Sequence, residues 1–257
     1  TPVKPAIEAY KKKHPGIKVD YQVYDYDTFQ EKLSTAFSSN SVPDLATIDM
    51  TWVPTYASQD LLSDLSEISG EKLNGASIDS QYTKGSVDAM TYKGHKIALA
   101  YDFDAYALYY RKDILEAKGL KVPTTWDELR AAAKTLTSGD TYGIAFCAAA
   151  SYEGSWQFLP FFWSNGADET DIASSAAAGA LQLWVDLVNE GSASSGVLNW
   201  GQGDVGEQFT SGKAAMVING PWQTITFDQS DVNWAVAEIP VPKAGDTLIA
   251  PLGGEVW

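Results

Sequence analysis

Apolar and polar side chains follow two different patterns along this chain. Between residues 17 and 24 they alternate, which predicts a half-exposed strand. Between residues 214 and 218 they form a short apolar run, which predicts a buried strand. Helices are predicted over residues 6–13, 28–37, 125–136, 156–165, 175–189 and 205–211, and further strands over residues 44–49, 96–100, 106–110, 142–146 and 233–238. Because helices and strands alternate, the fold class is predicted to be α/β.

The strand at residues 214–218 ends in a corner that carries a tryptophan. Asn219 and Gly220 end the strand, because glycine reaches backbone angles that other residues adopt only at a cost. Pro221 suits the first turn of a helix, where its missing N–H group is not needed. Trp222 is therefore predicted to stand at the carboxyl end of a strand, where open α/β sheets place their ligands. The alternative is that Trp222 is a packing residue.

The charge of the chain excludes several classes of partner. The 257 residues carry a formal net charge of −15, so nucleic acid and anionic lipid surfaces repel the protein. Arg111 and Arg130 are the only arginines in the sequence, and pockets for phosphate or carboxylate usually contain arginine side chains. An anionic ligand is therefore disfavoured, and neutral or cationic ligands remain.

Motifs for catalysis and metal binding are missing from the sequence. His14 and His95 are its only histidines, too few for a histidine metal cluster or a catalytic triad. The G-x-S-x-G motif of serine hydrolases does not occur. Cys147 is the only cysteine and lies in an apolar run, which predicts a buried, unreactive thiol. We therefore predict no enzymatic activity, no metal site and no cofactor.

Aromatic residues beside short polar residues recur at predicted strand ends and in loops. Sugars present C–H faces that stack on aromatic rings, and hydroxyls that bond to carboxylates and amides. Strands that end at one edge of a sheet would bring such pairs to one cleft. The candidate ligand-binding residues are Asp49, Trp52, Asp102, Asp104, Glu153, Trp156, Trp200, Gln202 and Trp222. Each has a plainer alternative as a packing or capping residue.

The same residue types fit two other functions. Aromatic rings with carboxylates also hold cations, such as polyamines, by cation–π attraction. Two carboxylates beside tryptophans also describe a glycoside hydrolase, which needs one carboxylate on each side of the scissile bond. The sequence does not show whether Asp102 with Asp104, or Asp49 with Glu153, has that spacing.

Several motifs, in the same order along the chain, resemble one family of binding proteins. The motif FTSGKAAMVINGPW at residues 209–222 has the form F…G…AM…NGPW. The others are KHPGIKV at 13–19, VPDL at 42–45, YASQDLL at 56–62, YKGHKIAL at 92–99, YYRKDIL at 109–115 and PTTWDEL at 123–129. Together they cover essentially the whole chain. The sequence resembles the extracellular solute-binding proteins of ABC sugar importers, of the maltose-binding-protein type.

This resemblance implies a two-lobed α/β fold, the type II periplasmic-binding-protein fold, with the ligand cleft between the lobes. It places residues 1–106 in an incomplete first lobe and residues 107–248 in a second lobe. Residues 249–257 would cross back toward the first lobe. There, Gly253 and Gly254 could absorb a hinge rotation, or simply form a turn.

The resemblance also implies a function. The protein would capture a carbohydrate, an oligosaccharide, and deliver it to the membrane permease of an ABC transporter. It would be a monomer outside the cell or in the periplasm, with any lipid anchor outside this chain. Asp104 matches a family position that contacts sugar hydroxyls, and Trp156 and Trp222 match stacking aromatics. Family members have a strand before Thr1 and a segment after Trp257, so the chain is expected to be a fragment.

Overall fold

The computed structural model describes residues 3–73 and 75–257, apart from the side chain of Asp27. The helices are α1 (Val3–Lys13), α2 (Tyr26–Ser38), α3 (Val53–Ala57), α4 (Leu65–Ser69), α5 (Lys84–Ala89), α6 (Lys112–Ala117), α7 (Trp126–Leu136), α8 (Tyr152–Ser164), α9 (Ser175–Asn189), α10 (Gln202–Thr210) and α11 (Thr224–Asp228). The strands are β1 (Ile48–Asp49), β2 (Lys72–Leu73), β3 (Ala76–Ser77), β4 (Thr91–Tyr92), β5 (His95–Lys96), β6 (Ala107–Arg111), β7 (Met216–Asn219), β8 (Trp234–Ala237) and β9 (Glu255–Val256). The predicted α/β class is confirmed.

A three-stranded sheet with β6 in the middle organises the second half of the chain. Strand β6 pairs antiparallel with both neighbours, so that Leu108 lies opposite Ile218 of β7 and Ala237 of β8. The predicted strand at residues 142–146 runs parallel to β7 on its other side, joined by backbone hydrogen bonds. The carboxyl end of β7 therefore points toward the corner that carries Trp222.

This sheet and helices α7, α8 and α9 enclose the larger hydrophobic core. Leu129 of α7, Phe161 of α8 and Leu187 of α9 are buried in it, together with Leu108 of β6. Each such side chain stabilises the fold by about 1.5–3 kcal/mol when it leaves water. We call the elements around this core the second lobe.

A separate core forms among the elements that precede β6. Leu33 of α2, Trp52, Ile78 and Met90 are buried there. Val256 belongs to the same core, because strand β9 returns from the second lobe and pairs antiparallel with β1. We call the elements around this smaller core, including β9, the first lobe.

Two stretches of chain run between the lobes and pair with each other. Leu99 and Trp257 exchange backbone hydrogen bonds of 3.0 and 2.8 Å, and Asp104 and Gly253 exchange bonds of 3.0 and 2.9 Å. We call these stretches, residues 99–104 and 253–257, the crossing segments. Because they are held in register, side chains far apart in sequence meet between the lobes.

Side-chain caps determine where helices α7 and α2 begin. The predicted capping box of α7 is confirmed: the Thr125 hydroxyl accepts the Glu128 N–H at 3.3 Å, and the Glu128 carboxylate accepts the Thr125 N–H at 3.3 Å. Helix α2 starts earlier than predicted, because Asp25 rather than Thr28 is its N-cap. The Asp25 carboxylate accepts the Thr28 N–H at 2.9 Å.

Some predicted strands are absent or shorter. Residues 17–24 form no strand in the described part of the chain, and Val23 is 62% exposed there. An alternating pattern becomes a strand only where a neighbouring strand supplies the hydrogen bonds. The strand predicted at residues 44–49 shortens to β1, and of residues 96–100 only Lys96 lies in a strand, at the end of β5. Within the described ranges, no helix is long and apolar enough to cross a membrane.

Candidate functional site

A cleft of about 160 Å³ lies between the two lobes. Its lining residues come from both lobes and from the crossing segments. They are Tyr26, Asp49, Asp104, Tyr152, Glu153, Trp156, Gln202, Trp222, Gly254 and Glu255. Six of the nine residues predicted from the sequence therefore meet in this cleft, and the set contains no lysine or arginine.

Asp49 reaches the cleft from the end of β1. Its carboxylate accepts the Thr51 N–H at 2.8 Å and the Tyr26 hydroxyl at 3.0 Å. The first bond caps a short 3₁₀ turn, and the second holds the side chain against the start of α2. Asp49 therefore has a fixed orientation with acceptor capacity left over, since each carboxylate oxygen accepts two bonds.

Three further carboxylates cluster on the crossing segments. Oxygen atoms of Asp102, Asp104 and Glu255 all lie within 4.8 Å of one another, and Asp102 accepts the Glu255 N–H at 2.8 Å. Burial, together with repulsion from Asp102 and Asp49, raises the pKa of Asp104 to about 6. Burial and Asp102 raise the pKa of Glu255 well above its ordinary range. Chemically, such a cluster can accept hydrogen bonds from hydroxyls or hold a cation.

Two tryptophans line the cleft from the second lobe. Trp222 follows Pro221 at the end of β7, as predicted, and is 36% exposed. Trp156 lies in the second turn of α8, with its indole nearly parallel to that of Trp222, at 22° and a centroid distance of 6.4 Å. The buried ring of Tyr106 meets the Trp222 ring edge-on at 5.6 Å. Trp222 therefore offers an exposed aromatic face that is supported from within the second lobe.

Both tryptophans lie against glycines. A side chain at Gly220 would come within 2.1 Å of the Trp222 ring, and one at Gly253 within 1.9 Å of the Trp156 ring. Gly253 belongs to a crossing segment, where it pairs with Asp104. The position of Trp156 therefore depends on the absence of a side chain at Gly253.

Gln202 is buried beneath the cleft and holds several neighbours in place. Its side-chain amide donates to the Tyr106 hydroxyl and, at 3.3 Å, to the Glu153 carbonyl. Its carbonyl accepts the Asn219 amide at 2.9 Å. Its backbone N–H donates to the Glu153 carboxylate at 3.3 Å. Gln202 thus joins α8, α10 and the end of β7 behind the aromatic residues.

The start of α10 carries a G-x-G-x-x-G spacing, at Gly201, Gly203 and Gly206. In dinucleotide-binding proteins such glycines follow a strand, and the helix N-terminus binds a pyrophosphate. Here the preceding element is a 3₁₀ turn. The Gly201 N–H donates to the Asp204 carboxylate at 3.0 Å, and Glu153 accepts the next N–H. Carboxylates of the protein itself therefore occupy the place of a phosphate.

The structure places two predicted site residues away from the cleft. Trp52 is 5% exposed and packs in the first-lobe core against Tyr26 and Tyr56. Trp200 packs on the second-lobe core, with its ring over Gly196. Trp52 was predicted from a strand end and Trp200 from a loop position, and neither signal tells whether a large apolar ring faces a ligand or the core. Asp102 accepts the Glu255 N–H and does not line the cleft itself.

Four lining residues were not predicted from the sequence: Tyr26, Tyr152, Gly254 and Glu255. Tyr152 directly precedes the candidate Glu153, at the start of α8, so its position was a usable signal. Tyr26 and Glu255 had no local signal, because pairing across the chain brings them to the cleft.

A larger groove of about 480 Å³ lies on the second lobe between α8 and α9. Its lining is almost entirely apolar, as with Phe158, Phe162, Ile172 and Leu181. Ligand sites combine an apolar lining with convergent polar groups. The interlobe cleft has that combination, and the groove lacks it.

This fold and cleft match a known family. The chain belongs to the family described as bacterial extracellular solute-binding protein, whose sequence profile matches residues 1–256. The fold is the two-lobed α/β fold of type II periplasmic binding proteins, with a cleft between the lobes.

Individual relatives bind sugars or polyols according to their names. A maltooligosaccharide ABC transporter solute-binding lipoprotein of Streptococcus pneumoniae (strain ATCC BAA-255 / R6) is 27% identical over 271 residues, which cover 99% of this chain and 60% of that protein. The structure of maltose-bound MalE3 of T. maritima has a TM-score of 0.84 at 28% identity, covering 99% of this chain and 67% of the other. A solute-binding protein of Agrobacterium radiobacter K84 in complex with ribitol has a TM-score of 0.83 at 26% identity, covering 98% and 66%. The chain spans about three-fifths of the length of the curated relatives it matches.

Proposed function

We propose that this protein binds a neutral sugar or polyol in the interlobe cleft and delivers it to the permease of an ABC transporter. The observation that carries the proposal is the composition of the cleft. Trp156 and Trp222 of the second lobe offer aromatic faces, and Asp49, Asp104 and Glu255 of the first lobe and the crossing segments offer acceptors. Sugar rings and polyols need both, since they combine C–H surfaces with hydroxyl groups.

Closure of the lobes would follow from this arrangement. We infer that residues 1–106 and 107–248 act as the two lobes, and that residues 249–257 return to the first. A ligand that contacts Trp222 of the second lobe and Asp49 of the first is bound more tightly in the closed form, and thereby shifts the protein toward it. A permease could then distinguish loaded from empty protein by its shape.

The relatives support the rest of the proposal. The Streptococcus pneumoniae protein is a lipoprotein of an ABC transporter, and the family is extracellular. We therefore propose an extracellular or periplasmic location, with or without a lipid anchor. We also propose that the protein acts as a monomer and without catalysis.

A cationic ligand is the second candidate, favoured by one observation. Asp102, Asp104 and Glu255 crowd their carboxylates within 4.8 Å of one another beside aromatic rings, and such surroundings attract amines.

Isothermal titration calorimetry on the full-length protein would test the proposal. The panel is maltose, maltotriose, xylobiose and ribitol against putrescine and spermidine, each at low and high salt. We expect binding of at least one sugar or polyol, with an affinity that salt leaves nearly unchanged because no ion pair forms. Binding of the amines alone, weakened by salt, would favour the second candidate. Release of reducing sugar from any saccharide would establish hydrolysis instead.

A further inference from the structure

Tyr26 and Tyr152, which were not predicted from the sequence, contact each other across the cleft. Tyr26 begins α2 in the first lobe and Tyr152 begins α8 in the second. Their ring centroids are 6.3 Å apart, and their planes differ by 20°. Both rings line the cleft. The two lobes therefore touch here through stacked side chains, 126 residues apart in sequence.

Tyr26 is the anchored member of this pair. Its hydroxyl donates to the Asp49 carboxylate at 3.0 Å. Its ring meets the buried Trp52 ring edge-on, at 5.0 Å and 61°. A side chain held at its hydroxyl and along its ring has little freedom to turn away, so Tyr26 presents a fixed surface to the second lobe.

Tyr152 is the more exposed member. It is 37% exposed at the first position of its helix. Its phenol faces Thr51 and the Asp49 carboxylate of the first lobe. The ring can therefore be replaced without opening a cavity in either core, which makes Tyr152 the position at which to test the contact.

The spacing of the two rings leaves no room for a sugar between them. A ring held between two aromatic faces needs two successive contacts of about 3.5–4.0 Å, or ~7–8 Å in all. The centroid distance of 6.3 Å is shorter than that. The volume beside the pair is also small, about 160 Å³, whereas ligand pockets usually measure about 300–1,000 Å³.

We propose that Tyr26 and Tyr152 are specificity-determining residues that limit the length of the ligand. Their contact closes the cleft on one side, so a saccharide chain cannot extend past it. The site then selects a ligand of one or two sugar rings, or a polyol of that size, over a longer linear oligosaccharide. This proposal rests on the proposed sugar-binding function of the same cleft.

Calorimetry with two length series tests the proposal in the full-length protein: maltose with maltotetraose, and xylobiose with xylotetraose. We expect the wild type to bind the disaccharide of the series it recognises at least about tenfold more tightly than the tetrasaccharide. Tyr152→Ala should reduce that preference about tenfold, mainly by improving the affinity for the tetrasaccharide. Tyr152→Phe keeps the ring and should keep the preference.

Tyr142→Ala is the matched control, because Tyr142 is 36% exposed and lies outside the cleft lining. It should leave the preference unchanged, and thermal unfolding should show that all three variants fold. A wild type that prefers the tetrasaccharide, or a Tyr152→Ala variant with the wild-type preference, would overturn the length limit while sugar binding stands. A wild type that binds no saccharide and no polyol would instead overturn the proposed function, and the length limit with it.

Discussion

The two sides of the cleft differ in chemistry and in how the fold builds them. The acidic wall consists of Asp49 from the first lobe and of Asp104 and Glu255 from the crossing segments. Trp156 and Trp222 of the second lobe form an aromatic wall. The acidic wall offers carboxylate oxygens that accept directional hydrogen bonds, and the aromatic wall offers ring surface for stacking. A ligand must satisfy both at once, so binding favours the arrangement in which the lobes face each other.

The walls also depend on different ranges of the chain. Trp222 is set by its own neighbours, since a strand end, a glycine and a proline turn it outward within four residues. In the acidic wall, Glu255 is instead held by Asp102, which lies 153 residues away in sequence and accepts the Glu255 N–H at 2.8 Å. The position of Trp222 is thus a local feature of one lobe, whereas the acidic wall exists only when the crossing segments are paired.

Removing one ring of the aromatic wall should have the largest effect on ligand affinity. Trp222→Ala should cost about 1–3 kcal/mol of binding free energy, because the stacking area is lost. Trp52→Phe is the contrasting variant, since Trp52 is buried in the first-lobe core. It should lower the free energy of unfolding by about 0.5–3 kcal/mol and leave the affinity nearly unchanged. Calorimetry and denaturant unfolding measure the two effects, and unaltered affinity in Trp222→Ala would remove that residue from the site.

Removing one carboxylate from the acidic wall should have the next largest effect on ligand affinity. Asp104→Ala should weaken sugar binding about tenfold, because a charged acceptor of hydroxyl groups is lost. Asp104→Asn should be milder, since the amide retains one acceptor oxygen. The exposed Asp140 supplies the control, as Asp140→Ala should bind like the wild type. A crystal structure with bound sugar in which Asp104 does not touch the ligand would contradict this assignment.

Coupling between the walls can be tested at Gly253. A methyl group there would meet the Trp156 ring at 1.9 Å, so Gly253→Ala should displace the indole and weaken binding about two- to tenfold, the range of one aromatic contact. Gly203→Ala is the matched control, since open space surrounds that position. Combining Gly253→Ala with Trp156→Phe should give no further loss beyond Trp156→Phe alone, as calorimetry can show. Additive losses would mean that Gly253 acts elsewhere.

The smallest expected effect is on stability as a function of pH. The pKa of Asp104 is raised to about 6 in the folded protein, above its ordinary value of 3.8. The folded state therefore binds this proton more tightly than the unfolded state, and stability is lost as pH rises from about 4 to 6. Asp104→Asn removes this loss. Its melting temperature relative to wild type should rise between pH 4 and pH 7 by about 2–4 °C, allowing for solvent screening of a half-buried group.

Differential scanning calorimetry at the two pH values would measure this change. Asp140→Asn should show none, because that side chain is exposed and outside the acidic wall. An equal difference between Asp104→Asn and wild type at both pH values would show that burial does not hold a proton on Asp104.

Much of the fold and the aromatic wall could be predicted from short stretches of sequence. The capping box at Thr125 and Glu128 located the start of α7, and the predicted helix at residues 175–189 has the bounds of α9. Such features depend on neighbours within one or two helical turns. The strand predicted at residues 17–24 does not form, because a strand needs a partner strand and no local pattern supplies one.

The candidate site likewise contains residues that a local sequence signal identified and residues that it did not. Trp156, Trp222 and Asp104 were found from motifs and strand ends, and the structure brings them to one cleft. Trp52 packs in the first-lobe core, because a position after a strand end is compatible with both a buried and a ligand-facing ring. Glu255 was missed because nothing near it in the sequence indicates that it meets Asp102.

The sequence by itself determined the alternation of helices and strands, the acidic charge, the family resemblance and the turn that exposes Trp222. Each of these depends on composition or on residues within a few positions of one another. Only the tertiary structure decided that four carboxylates gather between the lobes, that Trp52 faces the core, and that Tyr26 stacks on Tyr152. The reason is that burial and contact depend on which distant segments pack together. A local pattern of residues does not show which segments these are.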